Sequence, residues 1–238
     1  MFRWRGLCVY MSSRFSFFNS LGTATASVTT TANPIPLRVI GTSGLLLGKN
    51  ENNLLQLHSF LPPTYQHFDL KLIYTSSEDG CRLSTLYQRA PKDDACGSIL
   101  MVRPANATDC MIGCMLSCSW CPTANTIDRR NPECVLFRLD EGNSQCWNVE
   151  YANANSQKDA LGVDQRIVNT TNAFLQIGVS NTANFEQSGL YLDAKLNVGY
   201  SGHCDVFGGG RAYENGNGEG ASKFMVGVVE LYSLGHYR

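Results

Sequence analysis

Apolar residues recur along this chain first with a helical period and then, for most of its length, with the period of a strand. In ENNLLQLHSFLPP, Leu54, Leu57 and Leu61 fall on one side of a short helix that Asn52 or Asn53 can cap and that Pro62 and Pro63 end. DLKLIYTS places Leu70, Leu72 and Tyr74 on one face, which is strand alternation. DGCRLSTLYQRAP turns at Gly80, sets Leu83, Leu86 and Tyr87 on a helical face, and stops at Pro91.

Beyond that point the pattern predicts strands at 98–103, 111–118, 134–140, 145–151, 172–179, 189–196 and 223–233, separated by loops rich in Asn, Gly and Ser. Two long polar loops stand at 152–165 and 208–222. No internal repeat and no βαβα alternation occurs. The expected class is therefore α+β, mostly β, with two antiparallel sheets packed as a sandwich and short helices flanking them. Residues 1–37 include the low-complexity stretch TATASVTTTANPIP and read as a disordered tail or presequence, leaving residues 38–238 as the domain.

Composition supports that division. A chain of 238 residues with 43% hydrophobic content can build one core without staples. Charge is unevenly spread: residues 1–50 carry Arg3, Arg5, Arg14, Arg38 and Lys49 and no acid, while residues 51–238 hold all 20 acids. The body has no clustered Lys and Arg that would displace counterions from a polyanion, so no nucleic-acid partner is expected. The acid-free, Ser/Thr-rich start resembles a mitochondrial transit peptide, which makes a mitochondrial location the first expectation and a cytoplasmic one the alternative. No stretch approaches the ~20 apolar residues of a membrane-spanning helix. The sequons at Asn106 and Asn169 matter only on a secretory route.

Four of the ten cysteines crowd into CMIGCMLSCSWC, residues 110–121. Cys114, Cys118 and Cys121 have the C-x₃-C-x₂-C spacing of radical S-adenosylmethionine enzymes, but no long helix follows Cys121 to build their barrel. A zinc site lacks its second C-x-x-C. In a strand, Cys110, Cys114 and Cys118 share one face and Cys121 points elsewhere, so the ligands are strung along a rod. The favoured reading is strand cysteines packing as small hydrophobes; a metal or cluster site and a redox-reactive pair are the alternatives.

Elsewhere the chemistry is thin. His58, His67, His203 and His236 have no metal-ligand spacing, and GGGRAYENGNGEG lacks the order of a phosphate loop. Asp193 reads as a strand-ending residue, and Gly199, Gly202 and Gly208 as tight-loop glycines. No catalytic residue, cofactor or metal site is assigned.

Six pieces in order resemble the TLDc domain family, the module of the oxidation-resistance proteins. LPPTYQHFDLKLIYTSSEDGCRLSTLYQR carries Gly80, Leu83, Ser84, Leu86 and Tyr87 on the family pattern. SILMV and GCMLSCSW follow, with Gly113 and Trp120 in place. RNPECVLF aligns Glu133 and Phe137, and Trp147 matches a later tryptophan. LYLDAKLNVGYSGHCDVFGG fits at Leu192, Asp193, Leu196, Gly199, Ser201, Cys204, Phe207 and Gly208, and FMVGVVELYSLG supplies the closing strand with Glu230. The likeness spans residues 52–236. It departs from the pattern where the family's glycines before Glu133 are missing and its poly-glycine run is reduced to IGVSNTANFEQSG.

The resemblance implies a non-enzymatic interaction domain that binds subunits of the vacuolar proton-pumping ATPase, regulates its assembly and supports oxidative-stress resistance. Glu133, Gly199, Ser201, Gly202 and Cys204 are the candidate partner-binding residues, and Cys204 is also the candidate redox thiol. The alternatives are a mitochondrial structural or stress-protective subunit of a larger complex, and a thiol- or Fe–S-dependent enzyme.

Overall fold

In the computed structural model, residues 37–41, 46–47, 51–92, 97–107, 109–117, 120, 133–149, 166–179, 185–214 and 220–237 are described. They form β1 (Val39–Ile40), α1 (Glu51–Phe60), β2 (Asp69–Thr75), α2 (Ser76–Asp79), α3 (Leu83–Arg89), β3 (Ser98–Pro104) and β4 (Met111–Leu116). After these come β5 (Val135–Leu139), β6 (Gln145–Asn148), β7 (Arg166–Thr170), β8 (Phe174–Val179), β9 (Ser188–Asp193), β10 (Val198–Ser201) and β11 (Ser222–Gly235). Two 3₁₀ turns, Phe185–Gln187 and Asp205–Phe207, flank β9 and β10.

The strand alternation sorts side chains between two apolar clusters. In β3, Leu100 and Val102 enter one cluster and Ile99 and Met101 the other. In β4, Ile112 and Cys114 part in the same way from Met111 and Met115. Both strands are therefore covered on both faces, which is why they read as continuous apolar runs. Gly113 sits between them because a Cβ there would lie 2.2 Å from the Leu100 carbonyl oxygen and 2.8 Å from the Phe137 ring.

On one side, the second cluster is closed by Leu57 and Leu61 from α1 and its end. On the other, the first cluster takes Leu83, Leu86 and Tyr87 from α3, as their spacing predicts. Helix α1 begins at Glu51, so Asn52 and Asn53 lie inside its first turn instead of capping it.

The β-rich antiparallel expectation holds, with one correction. The eleven strands belong to one continuous sheet, ordered β6-β5-β4-β3-β11-β10-β9-β8-β7, with β2 also on β11 and β1 parallel to β2. The two separate sheets of the sequence reading are joined because β11 is 14 residues long. Its first residues pair with β10 from Ser222 to Met225, and the remainder with β3 and β2. A register shift between Val226 and Val228 marks the change of partner. Just beyond it, the Val229 amide donates to the buried Ser76 hydroxyl of α2 at 2.9 Å. Leu175 and Ile177 of β8 and Leu190 and Leu192 of β9 share one cluster with Leu100, Ile112 and Leu136.

Every predicted strand is present, several with shorter ends: β4 stops at Leu116 and β9 at Asp193. Strands β1, β7 and β10 were not anticipated. The polar stretch 152–165 and residues 1–36 lie outside the described residues. No helix among the described residues is long and apolar enough to cross a membrane.

Candidate functional site

The segment from Val198 to Gly210 is built by β10 and a one-turn knot. β10 is flanked by β9 and β11, with Gly199 opposite Leu192 and Phe224. Gly199 has to be small, since a Cβ there would stand 2.2 Å from the Phe224 ring. Ser201 is fully buried; its hydroxyl donates to the Gly189 carbonyl at 2.8 Å and accepts from the Tyr213 amide at 3.0 Å. The Gly202 amide donates to the Ser188 carbonyl at 2.8 Å, and a Cβ at Gly202 would collide with the Glu186 carbonyl. The chain then closes on itself: the Gly209 amide returns to the Cys204 carbonyl at 2.8 Å, with Gly208 and Gly209 at φ 60° and 81°.

Cys204 lies beneath this knot with no exposure, its thiol donating to the Gly178 carbonyl at 3.1 Å. Burial pushes its pKa up to about 11, against smaller opposing contributions from the Phe207, Val206 and Gly189 backbone. A redox sensor thiol needs exposure and a lowered pKa. Cys204 has the reverse of both, so the redox assignment made from its motif is not supported by its surroundings.

Gly199, Ser201, Gly202 and Cys204 are thus brought together, but inside the domain. Glu133 lies elsewhere, just before β5, where Oε1 accepts from the Thr64 hydroxyl at 3.0 Å. The pKa of nearby Tyr65 is raised to about 12, first by burial and then by the Glu133 charge. Asp193 is a turn residue: Oδ1 accepts from the amides of Asn197 and Val198 at 2.7 and 3.1 Å.

The cysteine run also resolves structurally as far as it is described. Cys110 and Cys114 are buried in one apolar cluster, at and just before β4, and Cys118 and Cys121 lie outside the described residues. The pKa of Cys110 is raised by burial. Trp120 is buried, its indole N–H donating to Ser98 Oγ at 2.6 Å. Among the described residues, no three His, Cys, Asp or Glu side chains are placed to hold a metal ion.

What the surface offers beside this segment is a cleft and an aromatic face. The cleft, about 330 Å³, is lined by Glu186, Gln187, His203, Asp205, Arg211 and Ala221, among others. The Arg211 guanidinium pairs with Glu214 at 3.1 Å.

On the neighbouring sheet face, the register aligns Asn169, Gln176, Tyr191, Tyr200 and Lys223 in one row across five strands. The rings of Tyr191 and Tyr200 stand 5.7 Å apart, and Phe185 packs on both at 5.4 and 4.7 Å. Lys223 Nζ lies 5.8 Å above Tyr200. Phe185 is 37% exposed and nearby Met225 50%. Sequence reasoning missed this face. Its only local signal was the alternation in GLYLD and NVGYS, which turns Tyr191 and Tyr200 away from the core.

A match to the TLDc domain covers residues 47–235. The chain belongs to the TLDc domain family. A relative in Debaryomyces hansenii, Oxidation resistance protein 1, is 26% identical over 228 residues, covering 75% of this chain and 68% of its own length.

Proposed function

We propose that this TLDc chain is a non-enzymatic interaction module that binds subunits of the vacuolar proton-pumping ATPase, regulates the pump's assembly and supports oxidative-stress resistance. The observation that carries the reading is the family match over residues 47–235, and the similarity to an oxidation resistance protein agrees with it. The site geometry is consistent with binding rather than chemistry. Ser201, Asp193 and Cys204 have structural partners, while Phe185, Tyr191, Tyr200 and the adjacent cleft face outward. An exposed phenylalanine beside two half-buried tyrosines, with polar neighbours, suits a reversible protein interface. In this reading Gly199, Ser201, Gly202 and Cys204 shape the interface from beneath, and Glu133 contributes a surface charge at a second contact.

The experiment is an affinity pull-down of the C-terminally tagged full-length protein from gently lysed cells, with mass spectrometry of the bound proteins and of the mature N-terminus. Proton-pump subunits with an intact N-terminus support the proposal. Mitochondrial partners with a start near residue 35 overturn it in favour of a mitochondrial subunit, the reading that the acid-free residues 1–50 favour. Glu133→Lys should weaken capture more than it lowers the melting temperature; the opposite ranking removes Glu133 from the interface.

A further inference from the structure

Where an antiparallel sheet has one face in water, alternation ordinarily puts polar side chains there. The half of this sheet built by β7 to β10 and the start of β11 departs from that rule. Its inward residues, among them Leu175, Ile177, Leu190, Leu192 and Phe224, enter an apolar cluster. Its other face carries Phe174, Tyr191, Val198, Tyr200 and Met225, with Phe185 packed on the two tyrosines. None of these six side chains belongs to either apolar cluster of the described residues. Strand β11 shows the change along one chain: Ser222 to Met225 alternate between buried and exposed, whereas Val228 to Leu234 are all buried. An apolar face left open in this way calls for a cover.

Two charges decide what can cover it. The register puts Lys223 on β11 beside Tyr200, and Asp193 on β9 beside Phe174. Asp193 accepts the Val198 amide, so the two charges stand on opposite sides of β10. Lys223 makes no ion pair among the described residues; its ammonium lies over the Tyr200 ring. Asp193 uses Oδ1 for its turn, which leaves Oδ2 without a donor among the described residues. A partner surface of one sign would attract one margin and repel the other, whereas a second copy of the same face satisfies both. A two-fold axis in the plane of contact, crossing over β10, brings Lys223 of each copy to Asp193 of the other and lays the aromatic centres together. That self-complementarity is what an isologous interface requires. We infer that this face is a self-association surface and that the chain forms a two-fold dimer through it. Four strand spacings of about 4.8 Å make the row from Asn169 to Lys223 roughly 19 Å long. A contact of that width belongs to the weak, reversible class, so the dimer forms in the micromolar range. The dimer does not rest on the pump reading: purified protein tests it alone, and failure of either leaves the other standing.

Sedimentation velocity of the full-length protein from about 1 to about 200 μM should show a monomer–dimer equilibrium. Over the same range, hydroxyl-radical oxidation of exposed Met225, read by peptide mass spectrometry, should slow at least ~threefold as the dimer fills. Lys223→Glu sets like charges against Asp193 and should raise the dimer Kd at least ~tenfold, as should Met225→Asp. Asp193→Asn keeps the turn acceptor and should weaken the dimer about threefold, but should add little to Lys223→Gln, because the two remove one shared pair. Monomer at every concentration overturns the inference. So does a dimer that leaves Met225 oxidation unchanged, one that Lys223→Glu does not weaken, or fully additive effects of Lys223→Gln and Asp193→Asn. Circular dichroism confirms the fold of each variant; where one does not fold, the concentration series and the Met225 footprint on wild type decide.

Discussion

Replacing Asp193 with alanine tests whether the polar residues of the family-like segment are structural. The side chain is half-buried at the end of β9, and its Oδ1 takes two backbone amides, Asn197 at 2.7 Å and Val198 at 3.1 Å. These bonds hold a turn that carries Leu196 at φ 51°, a left-handed conformation that a leucine adopts only under constraint. The same turn offers the Ala194 carbonyl to the Leu83 amide at 3.0 Å, at the start of α3, where Arg82 supplies no side-chain cap.

Hydrogen bonds to a charged group contribute about 1.5–3 kcal/mol each when well shielded, and less at a half-exposed site. Losing the pair should therefore cost roughly 2 kcal/mol, or about 4–8 °C in melting temperature for a domain of this size. Asp193→Asn keeps an oxygen acceptor and should lose less than ~1 kcal/mol. Urea unfolding monitored by tryptophan fluorescence measures both variants. An alanine variant within ~0.5 kcal/mol of wild type, or an asparagine variant as weak as the alanine one, refutes the turn role.

Three further outcomes follow from the same geometry. Gly199→Ala forces a Cβ to within 2.2 Å of the Phe224 ring and should destabilise by about 1–3 kcal/mol in a urea melt, because the packed interior has to move. The folded Cys204 pKa, near 11, lies above the ordinary value of 9.0, so the neutral thiol is favoured by folding. That contribution is complete below pH 9 and is lost as pH rises through 11; between pH 8 and 11 wild type should lose on the order of 2–3 kcal/mol more than Cys204→Ala, while the raised pKa values of Cys110, Cys134 and Cys146 contribute to the fall in both proteins. Labelling with iodoacetamide at pH 8, read by peptide mass spectrometry, should modify exposed Cys81 first among the described cysteines and leave Cys204 at least ~100-fold slower, since a thiol raised from 9.0 to about 11 has a thiolate fraction that much below the ordinary one and its sulfur is covered.

Some of this protein is written locally. The alternation in SILMV and MIGCML sends neighbouring residues to opposite apolar clusters, and the period-two pattern alone predicts it. The i, i+3, i+4 spacing of Leu83, Leu86 and Tyr87 likewise needs no long-range information. Cys114 was legible as a strand residue for the same reason, and Cys110 lies just before that strand in the same cluster. Strand β10 was not, because VGYS has little apolar content and is a strand by virtue of its neighbours β9 and β11.

The candidate site divides along the same line. Sequence pattern marked Gly199, Ser201, Gly202 and Cys204 as belonging together, but it could not say that they face inward; that depends on Gly189, Gly178 and Tyr213 closing around them. The aromatic row from Asn169 to Lys223 exists only through strand register, which no single strand encodes.

By itself, then, the sequence determined the β-rich class, the short helices, the family and the strand placement of Cys114, all of which rest on period and order along the chain. Only the tertiary structure decided that β11 joins the strands into one sheet, that Cys204 is shielded, and that Glu230 meets Leu46 across 184 residues. Those outcomes depend on which distant backbone groups and side chains come to share a desolvated space, and local propensity carries no record of that.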